Sequence, residues 1–277
     1  MLPRAAQRMM TMAGGRSAFE VIPGDPDSSV VLHVPHCSIR IPAHVRAGIV
    51  LDDDALAAEL LHMTDAYTDR IALTAAAGAV TPRPWVFVNR MSRLVVDPER
   101  FPDNREEMLA VGMGAVYTRT SGGDVLRRPD EAGERDLIST YFDPYAAAMT
   151  EIVAERLEAT GAALIVDLHS FPTRALPYEL HAESRRPALC IGQDRFHTPD
   201  FLVEAARRAF EPVGDSAVNE PFAGAYVPTR WFEVDRRVNA IMLEIRRDTY
   251  MDEITGEPTT GIDRVAAATA SFLQRTG

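Results

Sequence analysis

The sequence predicts a single α/β domain built on a mixed, mostly parallel central sheet flanked by helices. Three observations carry this. Short apolar, partly β-branched runs recur along the chain and stop at Pro, Gly or polar residues, as strands buried on both faces do. Longer segments with helical spacing lie between them. No internal repeat or linker divides the 277 residues, a length sufficient for one large core.

In chain order, Ser29 to Val34 is the first strong strand, ended by Pro35, which removes a backbone donor. His33 lies inside it, where a packed, hydrogen-bonded histidine is expected, and His36 lies just past its end. Asp52, Asp53 and Asp54 open a helix, their carboxylates at the positive end of the dipole. The helical pattern then runs from Ala55 to Ala77. Asp65 and Asp69, four apart, share a face of that helix if it is unbroken; alone they read as a solvated acidic face. Pro84 to Val88 is a further strand, followed by Arg90, Arg93 and Arg100. Residues 101–135 are rich in Gly, Pro, Asp and Arg and predict a long loop or small excursion that covers the site. Their glycines lack the strand and spacing of a phosphate-binding loop. A helix over about Asp136 to Thr160, interrupted near Pro144, ends at Gly161. Ala162 to Val166 is an apolar strand that runs into Asp167-Leu168-His169-Ser170. Ala188 to Gly192 is a strand, Asp200 to Phe210 a helix, and 221–228 a loop in which Gly224 permits close backbone approach. Asn239 to Arg247 is the last strong strand, and Asp263 to Gln274 a closing amphipathic helix.

Composition narrows the function. With 46% hydrophobic and 25% charged residues the chain is ordinary for a globular protein. A net charge of -11 argues against a broad nucleic-acid-binding surface. Two distant cysteines, Cys37 and Cys190, make no disulfide framework, so a reduced, cytoplasmic protein is expected. No apolar run approaches a membrane span. Residues 1–16 carry Arg4, Arg8 and Arg16 without an apolar export core. They read as a flexible extension preceding a domain over 17–277, with Met9, Met10 and Met12 as alternative starts.

Ligands in such sheets bind beyond the carboxyl ends of the strands, where His36 and His169 both fall. Asp167 and His169 point to one side if the strand continues. Glu244 interrupts an apolar run, and a buried carboxylate must be paired, metal-bound or protonated. Two neutral imidazoles and one carboxylate, Asp65 among the candidates, make a three-ligand zinc site with room for water. A free carboxylate beside it serves as general base and then as proton donor to a leaving amine. Arginine forks suit a substrate carboxylate, with ion pairs to Asp97 and Glu99 as the plainer alternative.

The chain resembles the N-formylglutamate amidohydrolase family. The matching segments are Val34-Pro35-His36-Cys37-Ser38 with Ile41-Pro42; Thr64-Asp65 with Thr68-Asp69-Arg70; Ser92 to Asp97 with Arg100; Asp143-Pro144-Tyr145; Asp167 to Phe171; and Leu243 to Arg246 with Tyr250-Met251-Asp252. The resemblance implies a fold related to zinc carboxypeptidases and aspartoacylase. It also implies metal-dependent hydrolysis of a small N-acyl amino acid, N-formylglutamate being the type, with no membrane or nucleic-acid partner. It assigns His36 and His169 as metal ligands, with Asp65 third and Asp69 ranked behind it, and Zn²⁺ as the ion. It assigns Glu244 as catalytic carboxylate and Arg93 and Arg100 to the substrate carboxylate; Gly224, from its place in the 221–228 loop, is read as a further substrate-binding position. Asp167 is left to orient an imidazole from behind. The family's usual residues give way here to Ala66, Glu99, Asp143 and Ala146.

Two rival readings stand beside this one. A thiol or hydroxyl amidase would use Cys37 beside His36 or Ser170 beside His169, but neighbours on an extended chain face opposite ways. A metal-free binding protein would keep the fold without the chemistry.

Overall fold

A seven-stranded sheet with strand order β1-β3-β2-β4-β7-β5-β6 runs through the molecule. The computed structural model describes residues 17–78 and 82–276; the expected extension over 1–16 lies outside the described residues. The strands are β1 (Phe19–Ile22), β2 (Val30–Val34), β3 (Trp85–Asn89), β4 (Ala163–Phe171), β5 (Leu189–Gly192), β6 (Ser216–Val218) and β7 (Val238–Arg246). Pairings β2/β3, β2/β4, β4/β7 and β5/β6 are parallel, whereas β1/β3 and β5/β7 are antiparallel. The sheet is therefore mixed and mostly parallel, as expected. The sequence reading missed β1 and β6, which are edge strands of four and three residues.

Side-chain alternation divides the sheet into two unlike faces. One face carries Leu32, Val34, Val166, Leu168, Ile241, Leu243 and Ile245 and is apolar to its end. It packs against α3 (Thr68–Gly78), α6 (Asp200–Phe210) and α7 (Gly261–Thr276). The other face begins apolar, with Val31 on β2, Ile165 on β4 and Ala240 on β7. Toward the carboxyl ends the same rows become His33, Asp167, His169 and Glu244, all buried. Register sets these side by side: His33 opposite Asp167, and His169 opposite Glu244. The long helix α5 (Asp143–Thr160) covers this second face through Tyr145, Met149 and Ile152.

Three expectations change. The helix over 55–77 is two helices, α2 (Asp53–Met63) and α3, separated at 64–67, where Thr64 is extended and Tyr67 is left-handed at φ 66°. Asp65 and Asp69 therefore do not share a helical face. The helix near Pro144 starts earlier, with α4 (Glu131–Leu137) running into a π-helical segment, Ile138–Phe142, and then α5. Pro144 stands in the first turn of α5, directly after the π-helical segment. Gly161 ends α5 in the left-handed conformation, as expected. Third, the excursion before α4 is more than a loop. A short helix, α1 (Ala43–Arg46), precedes α2. Met108, Met113, Tyr117 and Leu126 of the excursion form a small core of their own with Ile49, Leu56 and Met63. Glu59 fastens it by accepting from the Ser121 amide at 2.7 Å and the Ser121 hydroxyl at 2.8 Å.

The close backbone approach expected at Gly224 is made possible by Gly192 instead. A Cβ at Gly192 would stand 2.1 Å from the Gly224 carbonyl oxygen, while Gly224 faces open space at φ 86°. Gly192→Ala must push the 221–228 loop off the end of β5. It should cost about 1–3 kcal/mol, read as a lower urea midpoint at unchanged slope; an unaltered midpoint would contradict the contact.

Candidate active site

Asp65 reaches the strand ends because α2 stops before it. Its amide donates to the His36 carbonyl at 3.0 Å, tying the inter-helix turn to the segment that leaves β2. Thr68 closes the turn, its hydroxyl donating to the Asp65 carbonyl at 2.8 Å. His36 and Asp65 are thus joined through their backbones, and β4 delivers His169 beside them. The Nδ1 atoms of His36 and His169 lie 3.2 Å apart. Asp65 Oδ2 is 3.2 Å from His169 Nδ1 and 3.6 Å from His36 Nδ1.

Each of these groups is held from behind. His36 Nε2 donates to Asp97 Oδ1 at 2.9 Å. Asp97, fully buried, also accepts from the Tyr117 hydroxyl and, at 2.6 Å, from Arg93. Asp65 Oδ1 takes Arg247 Nη2 at 3.2 Å and the Ser170 hydroxyl at 3.4 Å. Arg247 is anchored by the Leu61 and His62 carbonyls that end α2. Asp167 Oδ1 accepts from His33 Nδ1 at 2.8 Å and lies 3.0 Å from His169 Nε2. The Tyr145 hydroxyl meets His33 Nε2 at 2.5 Å, so His33 is a packed histidine of the site's back wall.

The electrostatics demand positive charge. Asp65, Asp97, Glu99, Asp167 and Glu244 crowd two imidazoles. Burial alone would raise every carboxyl, yet hydrogen bonds from His169 and His36 hold Asp65 well below the usual range. Arg93 and His36 do the same for Asp97, and His169 and His33 for Asp167. Burial opposes a charged His169, but Asp167 and Glu99 outweigh it and raise its pKa well above the ordinary value. Glu244 differs. Burial pushes it up to about 7, and although His169 and the arginines draw it down, it lacks a hydrogen-bond donor at Oε2. Glu99 Oε1 and His169 Nε2 are likewise buried without a hydrogen bond; Glu99 Oε2 stands 3.1 Å from His169 Nε2 but out of line.

Facing Nδ1 atoms, a carboxylate oxygen at the same separation and three orphaned polar atoms test the fit of a cation. A tetrahedral Zn²⁺ with bonds of about 2.0–2.1 Å spaces its ligand atoms about 3.3–3.4 Å apart. The three observed separations, 3.2, 3.2 and 3.6 Å, match that spacing, and the donor set of two imidazoles and a carboxylate suits the ion.

The structure brings together His36, Asp65, His169, Asp167, Glu244, Arg93, Arg100 and Gly224, all lining one cavity of about 720 Å³. It separates Asp69, which sits on the first turn of α3 and pairs with Arg90 at 2.9 Å; the helix break that admits Asp65 removes Asp69. Arg100 lies 3.6 Å from Asp97 and 3.5 Å from Glu106. The sequence reading passed over Arg247 and gave Asp97 and Glu99 only a surface role. A charged residue just past the end of β7 was the available signal for Arg247. The rival nucleophiles do not form. The Cys37 thiol faces the Asn89 carbonyl at 3.5 Å and burial pushes its pKa up, while Ser170 accepts from Arg247.

Glu244 also makes a prediction about stability. Its carboxyl is neutral in folded and unfolded states below pH about 4.5, and the fold increasingly disfavours its ionised form as pH rises to about 7. In chelator-treated protein, Glu244→Gln should therefore gain up to about 3 kcal/mol at pH 8, the gain shrinking toward pH 5. Urea unfolding across that range checks it; a pH-independent difference would contradict the raised pKa.

Comparison with known proteins places these observations. The family model for N-formylglutamate amidohydrolase matches residues 28–251. N-formylglutamate deformylase of Pseudomonas aeruginosa is 24% identical over 232 residues, covering 81% of this chain and 82% of that protein. The Pseudomonas putida N-formylglutamate deformylase is 23% identical over 254 residues, covering 89% and 90%. The crystal structure of N-formylglutamate amidohydrolase from Ralstonia eutropha JMP134 shares the fold, with a TM-score of 0.76 at 22% identity, covering 93% of this chain and 96% of that one.

Proposed function

We propose that the chain, which belongs to the N-formylglutamate amidohydrolase family, hydrolyses the amide bond of an N-acyl amino acid, with N-formylglutamate as the reference substrate. The observation that carries this reading is the triangle of His36 Nδ1, His169 Nδ1 and Asp65 Oδ2 beside an unpaired Glu244. His36, His169 and Asp65 would hold a divalent ion, Zn²⁺ by their chemistry. When bound, such an ion polarises an acyl oxygen and makes water more acidic.

The protein's own groups do the rest. Asp97 fixes the ring of His36, Asp167 stands behind His169, and Arg247 with Ser170 holds the second oxygen of Asp65, so the three donors stay in place without reorganisation. Glu244, with its pKa raised to about 7, is matched to neutral pH as general base. It takes a proton from the attacking water while the water oxygen bonds to the acyl carbon. It then returns the proton to the amide nitrogen as the C–N bond breaks, giving a carboxylate and a free amino acid. Arg93, held by Asp97 and Tyr117, and Arg100 serve the substrate carboxylate with forks already oriented. Cys37 and Cys190 are free thiols, in keeping with a reduced compartment.

Metal analysis and kinetics test the roles separately. His169→Ala should lose bound metal and activity together. Glu244→Gln should keep the metal and lose roughly 10²- to 10⁴-fold in turnover; a wild-type rate removes the general base from Glu244. Arg93→Ala should act mainly on KM for a carboxylate-bearing substrate, and an unchanged KM refutes that assignment.

A further inference from the structure

The cavity is far larger than the hydrolysis of a formyl group requires. At about 720 Å³ it falls among pockets of roughly 300–1,000 Å³ that enclose drug-sized ligands. Its composition is also uneven. Around His36, His169 and the arginines the lining is charged. Another part of the lining comes from the π-helical segment and α5: Phe142, Ala146 and Thr150 all reach the cavity. A spacing of four puts these three on one stripe of the helix. From Phe142 to Thr150 the stripe runs about 12 Å at helical rise. The small side chains of Ala146 and Thr150 leave space there. Val227 and Phe232 line the same cavity, and Phe232 meets the ring of Phe101 edge-on at 6.4 Å between centroids. Phe142, Ala146, Thr150, Val227 and Phe232 carry no charge; the cation beside them is Arg105, which lies over the Phe101 ring at 4.8 Å and is engaged by Asp103.

We infer that this stripe is an acyl-group subsite, and that the substrates are N-acyl amino acids whose acyl group is an extended apolar or aryl chain of about six to eight carbons, matched to the 12 Å stripe. The inference rests on amide hydrolysis at the His36–His169–Asp65 cluster and deepens it by naming the acyl class. The reaction balances with water alone: the C–N bond breaks, a C–O bond forms, and the proton goes to the leaving nitrogen. A free amino acid and a medium-chain or aryl carboxylic acid are released. Each methylene buried along the stripe strengthens binding roughly fourfold, so four added methylenes outweigh incomplete burial by a wide margin.

The test uses the metal-replete full chain with N-formyl-, N-acetyl-, N-hexanoyl- and N-phenylacetyl-L-glutamate, following release of glutamate. The hexanoyl and phenylacetyl compounds should exceed the acetyl compound at least tenfold in kcat/KM. Calorimetry on Glu244→Gln, which should bind without turnover, should show N-hexanoylglutamate binding at least tenfold more tightly than N-acetylglutamate. Ala146→Phe should lower the hexanoyl-to-formyl ratio of kcat/KM at least tenfold. Rapid hydrolysis of the formyl compound with hexanoyl and phenylacetyl at under a tenth of its rate overturns the subsite and leaves amide hydrolysis standing. Turnover of none of the four, with metal bound, overturns both readings.

Discussion

Strand β4 is the constraint on which the remainder depends. It is paired in parallel on both sides and buried over all nine residues, yet it carries an aspartate and a histidine. Alternation allows both. Leu164, Val166 and Leu168 go to an apolar face that α3 and α7 help to cover, while Ile165, Asp167 and His169 go to the other. Burying that second row unpaired would be very costly. The chain answers by bringing polar groups to it from outside the strand: His33 from β2, Glu244 from β7, Tyr145 from α5 and Asp65 from a broken helix. The position of α5 and the break between α2 and α3 both follow from the need to complete this row.

Periodic features were legible in the sequence. Apolar runs located β2, β3, β4, β5 and β7, and the strand ends pointed to His36, His169 and Glu244. What eluded reading was whatever depends on a contact across the chain. The helical pattern over 55–77 is locally uninterrupted, because the break at 64–67 is enforced by the amide of Asp65 bonding the carbonyl of His36, a partner 29 positions away by numbering. Short edge strands carry too few residues for a period to show. Arg247 looks like one more basic residue after a strand until its turn is seen to aim it at Asp65. Asp97 and Glu99 look like surface partners for arginine, and Asp97 does pair with Arg93, but at zero exposure.

Charge makes the same distinction. An isolated acidic residue in a sequence says little about its surroundings. Five carboxylates about two imidazoles give the folded protein a local deficit of positive charge that Arg93, Arg100 and Arg247 only partly meet. The raised pKa of His169 and the depressed carboxyl of Asp65 express one fact: buried negative charge is concentrated around the two imidazoles. Glu244 stands apart because it is buried without a donor, which sets two neighbouring kinds of carboxylate to different protonation states.

The excursion with its own small core gives the two sides of the cavity different mechanical standing. The floor is the central sheet, and opening it means losing the whole fold. The wall formed by Phe101, Glu106 and Met108 belongs to a unit whose core is Met113, Tyr117 and Leu126, joined to the body through α2 and the Glu59–Ser121 clasp. Such a unit can open at a lower free energy than the sheet. Heating should therefore blunt substrate capture before it scatters the His36–His169 pair, and the residue that links the two regimes is Asp97, bonded to Tyr117 on one side and to His36 on the other.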